Sequence, residues 1–313
     1  FTESVIREMT RLCQQHGGVN LAQGFPDFPA PEHLKEAAVT ALRAAVLGDA
    51  FWGLRREAAL SLGTISNDAA LAALVEGTAS REARVRLACA EALGSFYRNE
   101  KSAAALEKLV GNDRSYGVRA AAIASLVKMR AERASRICID ALKQESDQAI
   151  VRNAALKGLA ELNDPATLAR VEPYCTPGNE RFYRNNAIGV YAKLAQQLEK
   201  DSDKRRAAEF LYPSLGDWHL RTREAAIDAL ATIGEPSSAE ALRRVAANDK
   251  VDAVRDRARA AADRVSVASA KTTVRMNAAE MEEMKRRLES LERELEAAKK
   301  RMAAPAPETR RSE

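Results

Sequence analysis

Apolar residues recur along most of the chain at intervals of three and four, the spacing of one face of an α-helix. In the stretch around DAALAALVEG, Leu71, Leu74 and Val75 share a face. Asn67 or Asp68 stands where a helix start is capped, and Gly77 stands at its end. A second helical stretch runs from about Glu82 to Tyr97, with Val85, Ala88, Cys89, Ala92, Leu93 and Phe96 on its buried face. The couplet then repeats. The segments WGLRREAALSLG, ARVRLACAEALG, YGVRAAAIASLV, AIVRNAALKGLA, RFYRNNAIGVYA, LRTREAAIDALA and DAVRDRARAAAD align on Arg55, Arg86, Arg119, Arg152, Arg184, Arg223 and Arg255, at spacings of 31, 33, 33, 32, 39 and 32. A small residue follows each Arg by three positions: Ala58, Cys89, Ala122, Ala155, Ala187, Ala226 and Ala258. The pattern predicts an all-α chain, an α-solenoid of about seven helix pairs over residues 39–264. Each pair is apolar on more than one side and must stack on its neighbours.

Six residues before the Arg there is often an Asp: Asp49, Asp113, Asp217 and Asp249, with Ser80 and Ser146 at the same place elsewhere. An Asp in the turn between two helices can cap the free N–H groups of the second. An Arg in that helix's first turn sits unfavourably in the helix dipole unless an anion is near. The spacing therefore predicts a structural Asp–Arg ladder along the stack, in which Arg119 bonds Asp113 of its own repeat or a turn group of the adjacent one. The alternative is an exposed Arg row that binds phosphates. The fifth repeat is irregular, with Pro173, Pro177 and Gly178 breaking EPYCTPGNERFYR, and the next is delayed by LEKDSDKRR. Length variation is the simpler account, and a binding loop the other.

After Val265 the period changes. SVASAKTTV reads as a small-residue linker (265–275), and a heptad helix follows over 276–303. Met281, Leu288, Leu295 and Met302 repeat every seven, with Met284, Leu291 and Ala298 at the other seam position. In a parallel in-register pair the flanking charges Glu280–Lys285, Arg287–Glu292 and Glu294–Lys299 all attract. An antiparallel pair centred next to Leu291 sets Lys285 against Lys299 and Glu292 against itself. Pairs such as Glu289–Arg293 equally support a lone helix or one packed back on the solenoid. Residues 304–313 read as a disordered tail.

Composition agrees with the helices. There are 62 alanines among 313 residues, with only 7 Phe, 6 Tyr and 2 Trp. That excludes a β-sandwich, a collagen and a disulfide scaffold. No apolar run is long enough to span a membrane, and FTESVIREM lacks a signal core. The chain opens on Phe1 rather than Met, as a fragment or trimmed chain would. The net charge of +5 is spread among mixed signs, which disfavours nucleic acid. Cys13, Cys89, Cys138 and Cys175 are far apart and form no C-x-x-C pair, which suits reduced thiols in the cytoplasm.

The turn Asp followed by Val-Arg resembles HEAT repeats. GDAFWGLRREAALSLG and DRSYGVRAAAIASL, through Phe51-Trp52-Gly53 and Ser115-Tyr116, resemble the C-terminal HEAT-like region of bacterial aminopeptidase N-type zinc metallopeptidases. Their catalytic part is absent: none of His16, His33 and His219 lies in an H-E-x-x-H helix. Residues 1–38 are outside the repeat. NLAQGFPDFPAP, from Asn20 to Pro31, resembles the N-terminal arm of class I pyridoxal-phosphate aminotransferases, in which the position of Gly24 approaches the substrate carboxylate. The cofactor lysine segment and the large α/β domain are missing, so the arm alone cannot catalyse. The two resemblances meet near Ala38 inside one helical pattern carrying Leu34, Ala38, Ala41, Leu42, Ala45 and Val46, as in a chimera or a natural fusion. The arm itself is expected to form a short helix from Thr2 through Cys13, with its Pro-rich loop crossing the end of the stack.

The expected function is a non-catalytic protein-interaction scaffold with a protein or peptide partner on the concave face, no cofactor and no metal. A parallel homodimer through 276–303 is a further option. The alternatives are an accessory domain or remnant of an enzyme, and a nucleic-acid-binding solenoid.

Overall fold

The computed structural model describes residues 5–16 and 31–303. Gly24, the Pro-rich loop and the tail 304–313 lie outside them, as does Thr2. Helix α1 (Val5–Gln15) contains the short helix expected through Cys13. The array then begins with α2 (Glu32–Gly48) and α3 (Trp52–Ile65). Five further helix pairs follow. They are α4 (Asp68–Gly77) with α5 (Ala83–Leu93), α6 (Glu100–Asn112) with α7 (Tyr116–Lys128), α8 (Ala134–Ala141) with α9 (Ile150–Leu162), α10 (Leu168–Val171) with α11 (Arg181–Gln196), and α12 (Asp201–Leu211) with α13 (Leu220–Ile233). The last pair is α14 (Ser238–Asn248) and the long α15 (Asp252–Ala303). The seven pairs match the seven arginines of the repeat.

Each second helix packs on the second helix of the next repeat, from α3 through to α15, and forms one continuous layer. The first helices cover one side of that layer. Small residues set the spacing. A Cβ on Gly63 of α3 would stand 3.0 Å from the Cα of Ala92 in α5, so only glycine allows the two backbones to approach so closely. The core is a file of such residues, including Ala58, Leu62, Cys89, Leu93, Ala122, Leu126, Ala155 and Leu159, all buried.

Three features differ from the sequence reading. α5 ends at Leu93 rather than Tyr97, because Gly94 begins a turn in which Ser95 Oγ lies 2.7 Å from the Gly63 carbonyl. Phe96 is nevertheless buried, as its position in the pattern required. α2 crosses the junction at Ala38 without a break, but it buries Val39 and Val46, with Leu42 and Ala45 half-buried, while Leu34, Ala38 and Ala41 stay exposed. Nothing among the described residues stacks on that side of the first pair. The stretch 265–275, read as a linker, is helical and carries α15 straight through to Ala303. It contains neither Gly nor Pro, and its Ala, Lys and Arg favour a helix.

Candidate functional site

The turns between first and second helices fall on one edge of the array, and there the ladder is built. Asp49, Asp113, Asp217 and Asp249 each follow a first helix in extended conformation. Each carboxylate accepts the N–H two residues on, from Phe51, Ser115, His219 and Val251 at 2.8–2.9 Å. This closes the turn and caps the approach to the second helix, from two positions before the residue at which a direct helix cap stands. In Asp113, Asp217 and Asp249 the second oxygen turns towards the preceding repeat. Arg86 donates to Asp113 from Nε at 2.6 Å and from Nη2 at 2.8 Å. Arg184 donates to Asp217 at 2.7 Å, and Arg223 grips Asp249 at 2.8 and 3.3 Å. The rungs thus join these three arginines to the Asp of the following repeat.

Within its own repeat the Arg instead holds main chain. Arg119 Nε donates to the Asp113 carbonyl at 2.6 Å, and Arg223 and Arg255 reach the carbonyls of Asp217 and Asp249 at 3.0 and 2.8 Å. The carboxylate of Asp113, a candidate partner of Arg119, therefore belongs to Arg86. Arg119 has no carboxylate partner among the described residues, because the next repeat offers Ser146 where the others offer Asp. Arg55 meets Ser80 for the same reason, at 3.1 Å. Arg152 faces Gly178 in register, and its guanidinium lies over the Tyr183 ring at 4.3 Å and the Tyr174 ring at 5.5 Å. The irregular fifth repeat therefore supplies an aromatic clamp in place of the carboxylate. Arg255, in the last pair, bonds Asp252 one turn back.

The carboxylate rungs are shielded from water. The side chains of Arg184 and Asp217 are each 7% exposed. Burial alone would raise the carboxyls of Asp113, Asp217 and Asp249. The turn N–H groups and the guanidiniums outweigh it and hold all three below the usual carboxylate range. The three buried thiols go the other way: burial pushes Cys89 and Cys138 up to about 12 and raises Cys175 as well, which leaves them protonated and inert. Among the described residues no three His, Cys, Asp or Glu side chains converge as metal ligands would.

With its arginines engaged, this edge presents other side chains. Phe51 and Leu54 of the first repeat, Tyr116 of the third, Ile150 of the fourth, Phe182 of the fifth, and Trp218 and Leu220 of the sixth are exposed, Trp218 by 84%. All stand within five residues before a ladder Arg, at the start of a second helix. Exposed Arg81, Arg84, Arg114, Arg181 and Arg221 alternate with them, and Arg84 lies over the Trp52 ring at 4.4 Å. Asp147, Glu180 and Asp252 interrupt the basic run. The sequence reading missed this row because these residues lie outside the buried helical face. Its trace was there: aromatics are scarce, yet Phe51, Tyr116, Phe182 and Trp218 recur just ahead of the repeat's Arg. On the far end of α15, Met281, Met284, Leu288 and Leu291 are exposed, and Leu295, Ala298 and Met302 continue their register on the same helix.

The family model for HEAT repeats matches residues 39–127 and 184–263. Residues 1–38 have no counterpart in that match. No curated protein matches the chain. Similar solved structures include the complex of CpcE and CpcF of phycocyanin lyase from a Nostoc species, at 20% identity over 78% of this chain and 100% of that chain, with a TM-score of 0.42. An archaeal HEAT-like repeats protein from Thermococcus onnurineus is 14% identical over 72% of this chain and 96% of that chain, with a TM-score of 0.49. Human deoxyhypusine hydroxylase is 16% identical over 75% of this chain and 98% of that chain, with a TM-score of 0.38. Likenesses at this level say nothing of activity.

Proposed function

Because the chain belongs to the HEAT-repeat family, we propose that it acts as a non-catalytic scaffold that grips a protein or peptide along the ladder edge and the adjoining inner face of the second helices. The observation that carries this reading is the row of exposed apolar side chains, with at least one in five of the first six repeats, set on a rigid frame of buried Arg–Asp rungs. Aromatic and arginine side chains are the residues that most often dominate binding energy at protein interfaces. A ridge that repeats with the array suits an extended segment which meets successive repeats in turn. The matching segment carries apolar side chains flanked by carboxylates.

The two enzyme resemblances bring neither an H-E-x-x-H helix nor a cofactor lysine segment, so binding is the reading that remains for this chain. Buried, protonated thiols suit the cytoplasm. Acidic residues interrupt the basic run, which favours protein over nucleic acid. Self-association through 276–303 completes the partner reading.

The test is to pan a displayed peptide library against the full chain and to measure the selected peptides by calorimetry. Replacing Phe182 and Trp218 together by Ala should weaken binding at least tenfold, since truncating such anchors typically costs 2 kcal/mol or more. Tyr97→Ala, remote from the edge, should leave it unchanged. Peptides indifferent to the edge variant would refute the reading. Selective binding of DNA or RNA with a steep loss of affinity in salt would favour the nucleic-acid alternative.

A further inference from the structure

We propose that α15 pairs with α15 of a second copy of this chain as a parallel, in-register coiled coil running from about Val267 to Met302. The dimer itself stands apart from the scaffold reading; only its consequence for binding rests on that reading.

α15 leaves the core after Ser266. Val254, Ala258, Ala261, Ala262 and Val265 are buried against the array, and Arg243 holds Ser266 at 2.8 Å. From the next residue the sequence enters a strict heptad: Val267, Ala270, Val274, Asn277, Met281, Met284, Leu288, Leu291, Leu295, Ala298 and Met302. The helix is unbroken from Asp252 to Ala303, so no kink resets that register. The stripe covers roughly 50 Å at 1.5 Å per residue. Of its members, Val267, Met281, Met284, Leu288 and Leu291 are each more than half exposed, so the solenoid does not cover them.

The flanking charges identify the occupant. In the parallel register, position 280 of one chain faces 285 of the other, 287 faces 292, and 294 faces 299: Glu with Lys, Arg with Glu, Glu with Lys. All three attract, and each occurs twice in a symmetric pair. The antiparallel alignment centred next to Leu291, on Glu292, sets Lys285 against Lys299 and Glu292 against its own copy. Self-complementarity of this kind favours a second copy over an unrelated helix, and the in-register parallel pair satisfies all three flanking positions at once. The two solenoids then emerge at the same end of the coil, and their two edges can engage one multivalent target. That raises apparent affinity without any new contact.

Light scattering on the full chain should give the mass of two chains, and Leu288→Asp with Leu295→Asp should give one. The decisive step is a charge swap. Arg287→Glu should weaken the dimer on the order of tenfold, since two ion pairs become two repulsions. Adding Glu292→Arg should restore it. Positions 287 and 292 are five apart and are not neighbours on one helix, so this rescue can arise only between chains. Met284→Cys should form an interchain disulfide under mild oxidation, because parallel copies bring position 284 to itself whereas the antiparallel alignment brings it to a different position. One-chain mass for the unaltered protein, a dimer that survives the double Asp variant, or failure of the second charge change to rescue the first would each overturn the proposal.

Discussion

An arginine in the first turn of a helix faces the positive end of the dipole and persists there only beside an acceptor. Here the acceptor is double: a carbonyl of its own turn and, in three repeats, a carboxylate of the next. The cost of losing the Arg should follow what it leaves behind. Arg184→Ala strands the buried Asp217 and should lose about 2–4 kcal/mol in denaturant unfolding. Arg119→Ala frees only a main-chain carbonyl and should lose about 1 kcal/mol. Arg293→Ala, on the exposed face of α15, should stay within about 0.5 kcal/mol. Equal midpoints for Arg184→Ala and Arg293→Ala would mean that the ladder carries no structural load. The pH dependence has a fixed sign. Asp113, Asp217 and Asp249 are held below their unfolded value, so their contribution is present in full above the ordinary carboxylate range, near pH 4. It is lost as pH falls through their lowered folded values. The ladder's members were legible in the sequence, but its connectivity was not. Six residues look like a local pairing, yet the extended turn at Asp113 points the free carboxylate oxygen back towards Arg86.

Helix ends were harder to place than helix faces, because ends answer to the turn and not to the period. α3 and α9 stop at Ser66 and Asn163, both left-handed, and α13 stops at Gly234, also left-handed. Only the last announces itself as a glycine. The 265–275 stretch failed in the opposite sense: small residues suggested a linker, yet nothing in it interrupts a helix. Glycine inside the helices separates propensity from packing. Gly189, within α11, has open space where a Cβ would go, and Gly189→Ala should add up to about 1 kcal/mol of stability. At Gly63 the same change drives a methyl against the backbone of α5, and it should cost about 1–3 kcal/mol despite the better propensity. Thermal or denaturant unfolding of the two variants gives opposite signs if α3 and α5 are packed this closely. A gain at both positions would show that they are not.

Across the whole array, stability is the sum of each repeat's own terms and those it shares with its neighbours, so the weakest stretch should open first. Several observations locate it in the middle. α8 has 8 residues and α10 only 4, against 13 in α6. Two consecutive rungs, those of Arg119 and Arg152, lack a carboxylate, and the α9–α11 contact is the sparsest between successive second helices. The family match also lapses over 128–183, although the helix-pair plan continues there. The clamp of Tyr174 and Tyr183 on Arg152 offsets part of the deficit, and it binds the two halves through rings instead of charges. This seam was visible in the sequence only as prolines and an irregular spacing. Its energetic meaning needed the partners of Arg119 and Arg152. Native-state hydrogen exchange should find the amides of α8 and α10 exchanging on the order of tenfold faster than those of α4 and α6, a difference of about 1.4 kcal/mol in opening. Tyr183→Ala should widen that difference and leave α4 unchanged, because coupling in such an array decays through successive neighbours. Uniform protection from α4 to α10 would instead mean that the array opens as one unit, and that the missing rungs carry no local cost.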